Sequence, residues 1–525
     1  MRDKPRNSMS RQRLTAQQKL VRALTELHQV LGSQSVVVRG RQLKNATRIL
    51  LLEHGYLREI LKGWYFVADP LAEPGDTTPF IANYWEYLAG YLNERFGQKY
   101  CLTAEHSLLR QAQHNVVPKQ VNVMLAIKQS QIQELAFGHT IALYPGGKSF
   151  PAPLDQELIM GVHCMSAPYC LVMLNPRYFK EYAREVQIVM GKIKDPDAIA
   201  GLIDLNTSGV ARLILAYRLV GRREFADQIA RELSGFKTLL PLNDNPFEGE
   251  HIFQLGSHGR SALYNRIKVL WAQNREPVLE CRPMESRVMV SLDDYLARIE
   301  AIRIEDAYHS LSIERYRVTL ELIRRVAEEK WVPVNNQDDQ RQIDAMAARG
   351  YLDAFQLVKE DAGQAYANRD LSPGFSAQLF SERHQAWFQK LLGPSVNAGI
   401  LERRDLAGYR RHMVYLRGSL HTPPHFDSVR DGMDGLSECL LEEPDAFVRA
   451  VLGHWLFGFV HPYMDGNGRI ARFTMNLMLA SGGYPWTVIH LEDRATYMAA
   501  LEKASVQDNP GTFAAFIANC VRASQ

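Results

Sequence analysis

The twelve residues His461-Pro462-Tyr463-Met464-Asp465-Gly466-Asn467-Gly468-Arg469-Ile470-Ala471-Arg472 hold every group needed to handle a phosphate. Gly466 and Gly468 leave backbone N–H groups open to an anion, and a helix beginning there adds unpaired donors and a favourable dipole. Asp465 is a hard oxygen ligand of the kind Mg2+ accepts singly, sharing its other positions with water and phosphate oxygens. Arg469 and Arg472 stand three apart on one helix face and can fork onto the same phosphate chain. His461 is the group in the loop that can take a proton near neutral pH. Such parts describe phosphoryl-type transfer by positioning, charge neutralisation and one base.

The flanking sequence predicts the elements that hold these groups. Ala446 to Val460 is apolar except for Arg449 and His454, so it reads as a helix buried on most sides, ended by Pro462. Ile470, Phe473, Thr474, Leu477 and Met478 recur at helical spacing until Gly482-Gly483, which suits a left-handed cap. The twelve residues are then a tight turn whose second helix points its N-terminus at His461. A Gly-Asn-Gly turn, an Arg pair or a lone His is each common without function. One loop supplying all of them is hard to explain as helix punctuation.

The loop resembles the signature of the Fic family, His-Pro-Phe-x-Asp-Gly-Asn-Gly-Arg-x-x-Arg, at every fixed position except Tyr463, where Phe is usual; either ring fills an apolar slot. The likeness extends over Ala301 to Cys520. It implies an all-α Fic region at 250–525, with a core at about 382–522, acting as a protein adenylyltransferase. By that resemblance His461 takes the proton of a Tyr, Thr or Ser hydroxyl on a target protein or on the chain itself. The oxygen then attacks the α-phosphate of ATP, and pyrophosphate leaves. Asp465 would hold Mg2+, Gly466, Asn467 and Gly468 would receive the α-phosphate oxygens, and Arg469 and Arg472 would grip the distal phosphates. The loop reads phosphates and not the base, so UTP, another nucleotide or a phosphocholine-type donor fits it equally, and the same site can run backward to remove AMP.

Three further segments are similar to the family. Gly408-Tyr409-Arg410-Arg411, leading through His412 to Leu416 and Gly418 into His421-Thr422-Pro423-Pro424, reads as a β-hairpin flap that clamps a target segment by strand addition. Arg494-x-x-Tyr497 lies where the family borders the nucleotide base, which makes Tyr497 a base contact. Ser310-Leu311-Ser312-Ile313-Glu314-Arg315 resembles the inhibitory motif Ser/Thr-x-x-x-Glu-Gly/Asn, on a helix expected over about 301–320. Carried over, Glu314 pairs with Arg472 and blocks productive placement of ATP. Arg315 departs from the pattern.

The 525 residues exceed one core and suggest three or four domains at ~150 residues each. Hydrophobic content of 46% and charged content of 23% describe an ordinary globular protein. No apolar run approaches the ~18 residues of a membrane span, and the polar, basic Met1 to Arg13 lacks a leader's apolar core, so a cytoplasmic location is expected. Six scattered cysteines without a CxxC pair indicate reduced thiols and neither a disulfide framework nor a zinc site.

Residues 1–64 hold thirteen Lys or Arg against four Asp or Glu, so this end carries +9 of a chain whose net charge is +3. A helix over Leu14 to Leu31, a strand over Ser35 to Val38, a helix over Arg41 to His54 and a Gly63-centred hairpin are in winged-helix order. The run from Leu50 to Tyr65 resembles the N-terminal winged helix of antitoxin-type transcriptional regulators of abortive-infection systems. That places Arg41, Lys44 and Arg48 along the second helix and Arg58 and Lys62 on the wing, where DNA phosphates would be met. Pro70 to Pro79 reads as a linker. Residues 80–248 form an expected α+β middle domain resembling the same regulators, ending in the turn-rich Pro241 to Gly249. The expected fold class is therefore multidomain: an α/β winged helix at 1–72, the α+β domain, and the helical Fic region. A homodimer is compatible with it. The alternative is a DNA-binding regulator whose Fic domain senses nucleotide.

Overall fold

The computed structural model describes residues 15–31, 36–71, 76–233, 245–256, 259–329, 339–369 and 374–525. The basic stretch Met1 to Arg13, the start of the first strand at Ser35, the middle of the Pro70 to Pro79 linker and Pro241 lie outside them. The chain is multidomain and rich in helix, with a few small sheets. It divides into two compact units: 1–102 with 117–150 and 158–163, and 103–116 with 151–157 and 164–525.

The first unit begins with the helix Ala16–Leu31, whose Ala23 and Leu27 are buried. A three-stranded antiparallel sheet follows, in the order Val37–Arg39, Trp64–Val67, Leu57–Leu61, with the helix Asn45–Glu53 before its hairpin. Gly63 turns that hairpin at φ +86. Trp64 packs edge-on to Tyr87 of the helix Tyr84–Phe96 at 5.5 Å. A second sheet has the order Tyr100–Leu102, Gln120–Leu125, Thr140–Pro145, Gln131–Glu134, with its central pair parallel.

The second unit is helical. Residues 80–248, expected as one domain, are shared between the two units. The reason is local: Asn265 of the long helix Ala262–Glu280 donates to Ile188 O at 3.3 Å, and the fully buried Arg266 pairs with Glu185 at 3.3 Å, tying the helix Ala183–Lys192 to the later helices. Ala446–Val460 and Asn467–Ala480 pass through one continuous apolar core, with Asp339–Ala367 and Phe375–Asn397 packed around them. All six cysteines are free thiols, and five are buried. Among the described residues no helix is long and apolar enough to cross a membrane.

Over 408–424 no strand forms. The hairpin expected there is an extended arm, a turn with Gly418 at φ +77, and a second irregular arm. Two short arms alone have too few ladder bonds to be stable. The segment is held instead by bonds to its surroundings: at its root the buried Arg410 donates to His461 O at 2.8 Å and its own N–H to Pro462 O at 2.9 Å, and past the turn Leu420 N donates to Glu502 at 2.8 Å.

Candidate active site

The helix Ala446–Val460 has the bounds of its apolar run, and both interrupting residues find partners inside the protein. Arg449 donates to Glu443 O and Ser481 Oγ, and His454 Nε2 is bonded to the Tyr497 hydroxyl at 2.8 Å. The helix ends at His461, which adopts the left-handed conformation, φ 51 and ψ 60. For a residue with a Cβ that conformation costs ~1–2 kcal/mol, and such strain is retained where the surroundings over-determine it. Two features do so here. Asn467 clamps the turn, accepting from Tyr463 N at 2.9 Å and donating to Tyr463 O at 2.8 Å. Gly466 takes φ +79, and a Cβ there would stand 2.8 Å from Leu391.

Tyr463 fills the slot expected of a Phe, stacked on Phe388 at 3.8 Å, and its hydroxyl is bonded to the buried His384 Nδ1 at 2.7 Å. Burial holds the His384 pKa down to about 4, so the ring is neutral. His384 carries no sequence signal, and Arg410, though inside the flap segment, shows its role only once distant segments have packed.

His461 Nδ1 lies 3.3 Å from Gly458 O, so it donates there and leaves Nε2 as the basic nitrogen. Burial, with the Arg410 cation second, lowers its pKa to about 4. The imidazole is neutral at pH 7 and ready to receive a proton. It lines a cavity of about 720 Å3 together with Glu314, Gly468, Arg472, Tyr497 and Tyr415.

Arg469 and Arg472 are both buried, with side-chain exposures of 1% and 6%. Arg469 pairs with Asp465 at 3.0 Å and lies over the Tyr316 ring, yet its Nε and Nη1 have no partner. Arg472 donates from Nε to Ser310 Oγ at 2.9 Å and from Nη2 to Ser310 O at 3.0 Å and Glu314 Oε1 at 2.8 Å, while its Nη1 also lacks a partner. Buried guanidinium N–H groups left unpaired are costly, and of the two arginines Arg472 lines the cavity, where an anion could reach it.

Glu314 lies over the N-terminus of the helix Asn467–Ala480, against Arg472. Its Oε1 lies so close above Gly468 that a Cβ on that glycine would approach to 2.2 Å. The helix Arg303–Ile313 that carries it is fixed at its end by Arg494 Nε, which donates to Ile313 O at 2.8 Å. Arg315 sits at φ 70, the left-handed position that Gly or Asn would fill without strain. Its N–H returns to Ser312 O at 2.9 Å and that of Tyr316 to Leu311 O at 3.1 Å, so the helix stop forms despite the side chain.

Asp465 is half-exposed, with one oxygen accepting from Gly466 N and the other from Arg469 and, at 3.4 Å, Tyr316. Desolvation works against ionisation, but Arg469 and the Gly466 N–H outweigh it and hold the carboxyl below its ordinary value. Among the described residues no second carboxylate or imidazole joins it in a three-ligand group. One ionised, half-exposed carboxylate suits a hard divalent cation shared with water and phosphate, such as Mg2+.

The Asn467 side-chain amide is used as the clamp on Tyr463, so its part at a phosphate falls to its backbone N–H. Tyr497 lines the cavity, but its hydroxyl is engaged by His454.

A family model described as Fic/DOC family matches residues 374–479. This segment is a Fic/DOC family domain. The chain is 29% identical over 231 residues to a protein adenylyltransferase Fic from Nematostella vectensis, covering 42% of this chain and 48% of that one. It is 28% identical over 203 residues to protein adenylyltransferase fic-1 from Caenorhabditis elegans, covering 38% and 36%. The chain thus spans about half, or less, of the length of these curated relatives. A solved fragment of Fic-1 from C. elegans superposes with a TM-score of 0.37 at 19% identity, covering 66% of this chain and 93% of that one.

Outside the Fic domain, Arg48, Arg58 and Lys62 lie on the elements expected of them, and Arg41 and Lys44 lie ahead of the second helix. Arg41 is on the short turn Gly40–Gln42 and not on the second helix, and it pairs with Glu94 at 3.2 Å. Lys44 caps the helix Asn45–Glu53. Arg48 is on that helix with its guanidinium turned to Gly40 O at 3.4 Å and Asn45 Oδ1 at 2.6 Å. Arg58 lies on the strand Leu57–Leu61 and Lys62 in the turn after it. The helix begins later than expected because Gly40 closes the strand by donating to Gly63 O at 2.8 Å.

Proposed function

We propose that this chain is a Mg2+-dependent protein adenylyltransferase held in check by its own Glu314. The observation that carries this is the buried Arg472, bound by the Glu314 carboxylate in the cavity that the neutral His461 and Gly468 also line. Names of relatives matching the same region support AMP as the transferred group. His461 Nε2 takes the proton of a hydroxyl on a target protein or on the chain itself. The hydroxyl oxygen bonds to the α-phosphorus of ATP as the bond to pyrophosphate breaks. The first-turn N–H groups at Gly466 to Gly468 receive the α-phosphate oxygens, and Arg469 and Arg472 grip the distal phosphates. Mg2+ bound through Asp465 would neutralise charge on the phosphates. Tyr497 forms a wall against the nucleotide, with its hydroxyl kept by His454.

With Glu314 on Arg472, ATP would still bind, but one fork would be withheld from its distal phosphates. Glu314 is also placed to act on water, so removal of AMP from a modified protein belongs to the same reading. The test is incubation with labelled ATP and a lysate, with and without Mg2+. His461→Ala should abolish labelling while ATP binding persists, because phosphate is gripped by other groups. Full labelling by that variant would sink the assignment. The three-part division at 1–72, 80–248 and 250–525, with contact of the first part with DNA, remains a separate proposal, tested by a salt-dependent DNA shift.

A further inference from the structure

The inhibitory-type helix Arg303–Ile313 carries a second cluster that the transfer reading does not use. Glu305 and His309 are one turn apart on this helix and meet His490, with one ligand atom from each all within 4.8 Å of one another. His309 Nε2 is 3.1 Å from His490 Nδ1 and 3.7 Å from Glu305 Oε1. Ligands at a Zn–N distance of about 2.0–2.1 Å in a tetrahedron stand roughly 3.3 Å apart, a value that these two separations bracket.

We propose that Glu305, His309 and His490 bind a divalent cation of the zinc class, and that occupancy fastens the inhibitory-type helix to the segment after the loop helix. The first half stands on the cluster alone; the second rests on the reading of Glu314 given above. Two imidazoles and one carboxylate suit Zn2+ over Mg2+ or Ca2+, so this cation differs from the one assigned to Asp465. Glu305 is exposed, which leaves the fourth position to water.

The hydrogen bonds around His309 state what binding changes. Leu491 N donates to His309 Nδ1 at 3.0 Å, which puts the ring proton on Nε2, directed at His490 Nδ1. A cation at Nε2 requires that proton on Nδ1 instead, and Glu492 Oε2, 4.0 Å away, is the acceptor at hand. The bond from Leu491 is exchanged for a carboxylate–histidine–metal arrangement, which orients the ring and strengthens it as a ligand. Ser310, the next residue, and Glu314, one further turn along, are the residues that hold Arg472. A cation at His309 therefore holds Glu314 against Arg472.

The test uses untagged full-length protein and ZnCl2, read by titration calorimetry and by thermal unfolding. One Zn2+ per chain is expected, with a rise in Tm. Glu305→Gln, a change at an exposed site, and His309→Gln should each weaken binding by more than about tenfold and remove the Tm rise. No zinc binding, or binding that both variants retain, overturns the site. Zinc should also slow transfer by wild type and not by Glu314→Gly. If Glu314→Gly is faster than wild type and zinc slows neither, the regulatory half is overturned. If Glu314→Gly is no faster, the Glu314 reading has failed, and the calorimetry alone decides the site.

Discussion

Two sets of basic residues in this chain look alike in sequence and differ in what surrounds them. Arg469 and Arg472 are nearly inaccessible, with three guanidinium nitrogens between them unpaired. Arg41 is 65% exposed and already paired with Glu94, and Arg48 is turned to its own backbone turn and Asn45. A surface ion pair is worth about 0–1 kcal/mol and exchanges readily, whereas a buried cation with open N–H groups is costly unless an anion arrives. Local charge count is thus a poor guide to an anion site. Burial beside a cavity at a helix N-terminus is the better one.

The comparison breaks most visibly at Asp465. If the loop is built around phosphate and one shared cation, Asp465→Ala should remove Mg2+-stimulated transfer, a loss of at least about 10²-fold for a group acting on charge in the transition state. Initial rates against Mg2+ concentration measure it, and undiminished stimulation would count against the assignment.

A smaller effect is expected at Arg315. Its left-handed backbone costs ~1–2 kcal/mol with a side chain, partly offset in a glycine by the entropy of the unfolded chain. Arg315→Gly should tighten the seat on Arg472, lowering basal transfer by about fivefold for a net gain near 1 kcal/mol. Wild-type transfer and Tm in that variant would show that the helix stop is unstrained.

The smallest effect belongs to the surface set. Because Arg41 and Arg48 have partners, changing Arg41, Lys44 and Arg48 together to Ala should alter the slope of log affinity for DNA against log salt by less than about one unit. A change near three units would put all three on phosphates and favour the regulator reading.

How much of this was legible follows from the range of the forces involved. The His461 to Arg472 loop declared itself because its groups are neighbours in sequence and its flanking helices repeat at 3.6 residues. Glu314 was reached only through a family resemblance, since its partner Arg472 lies 158 residues away. The second use of Asn467 is not legible in sequence: its side-chain amide closes a left-handed turn by matching both polar atoms of Tyr463. The role of Arg410 depends on segments that meet only in the folded core. The hairpin expected at 408–424 does not form for a simpler reason, that short arms around a turn predict extension and say nothing about whether a ladder forms. In the N-terminal unit helix and strand order could be read, while the Arg41 to Glu94 pair could not.

The central claim is that Glu314 occupies the seat an ATP phosphate chain must use. Initial transfer rates of wild type and Glu314→Gly at saturating ATP and Mg2+, after equal folding is confirmed, test it most directly. The account predicts a faster variant, by roughly tenfold for each ~1.4 kcal/mol of blocked population released. An unchanged rate would contradict it, and a lower rate would assign Glu314 a positive part in the chemistry, such as removal of AMP.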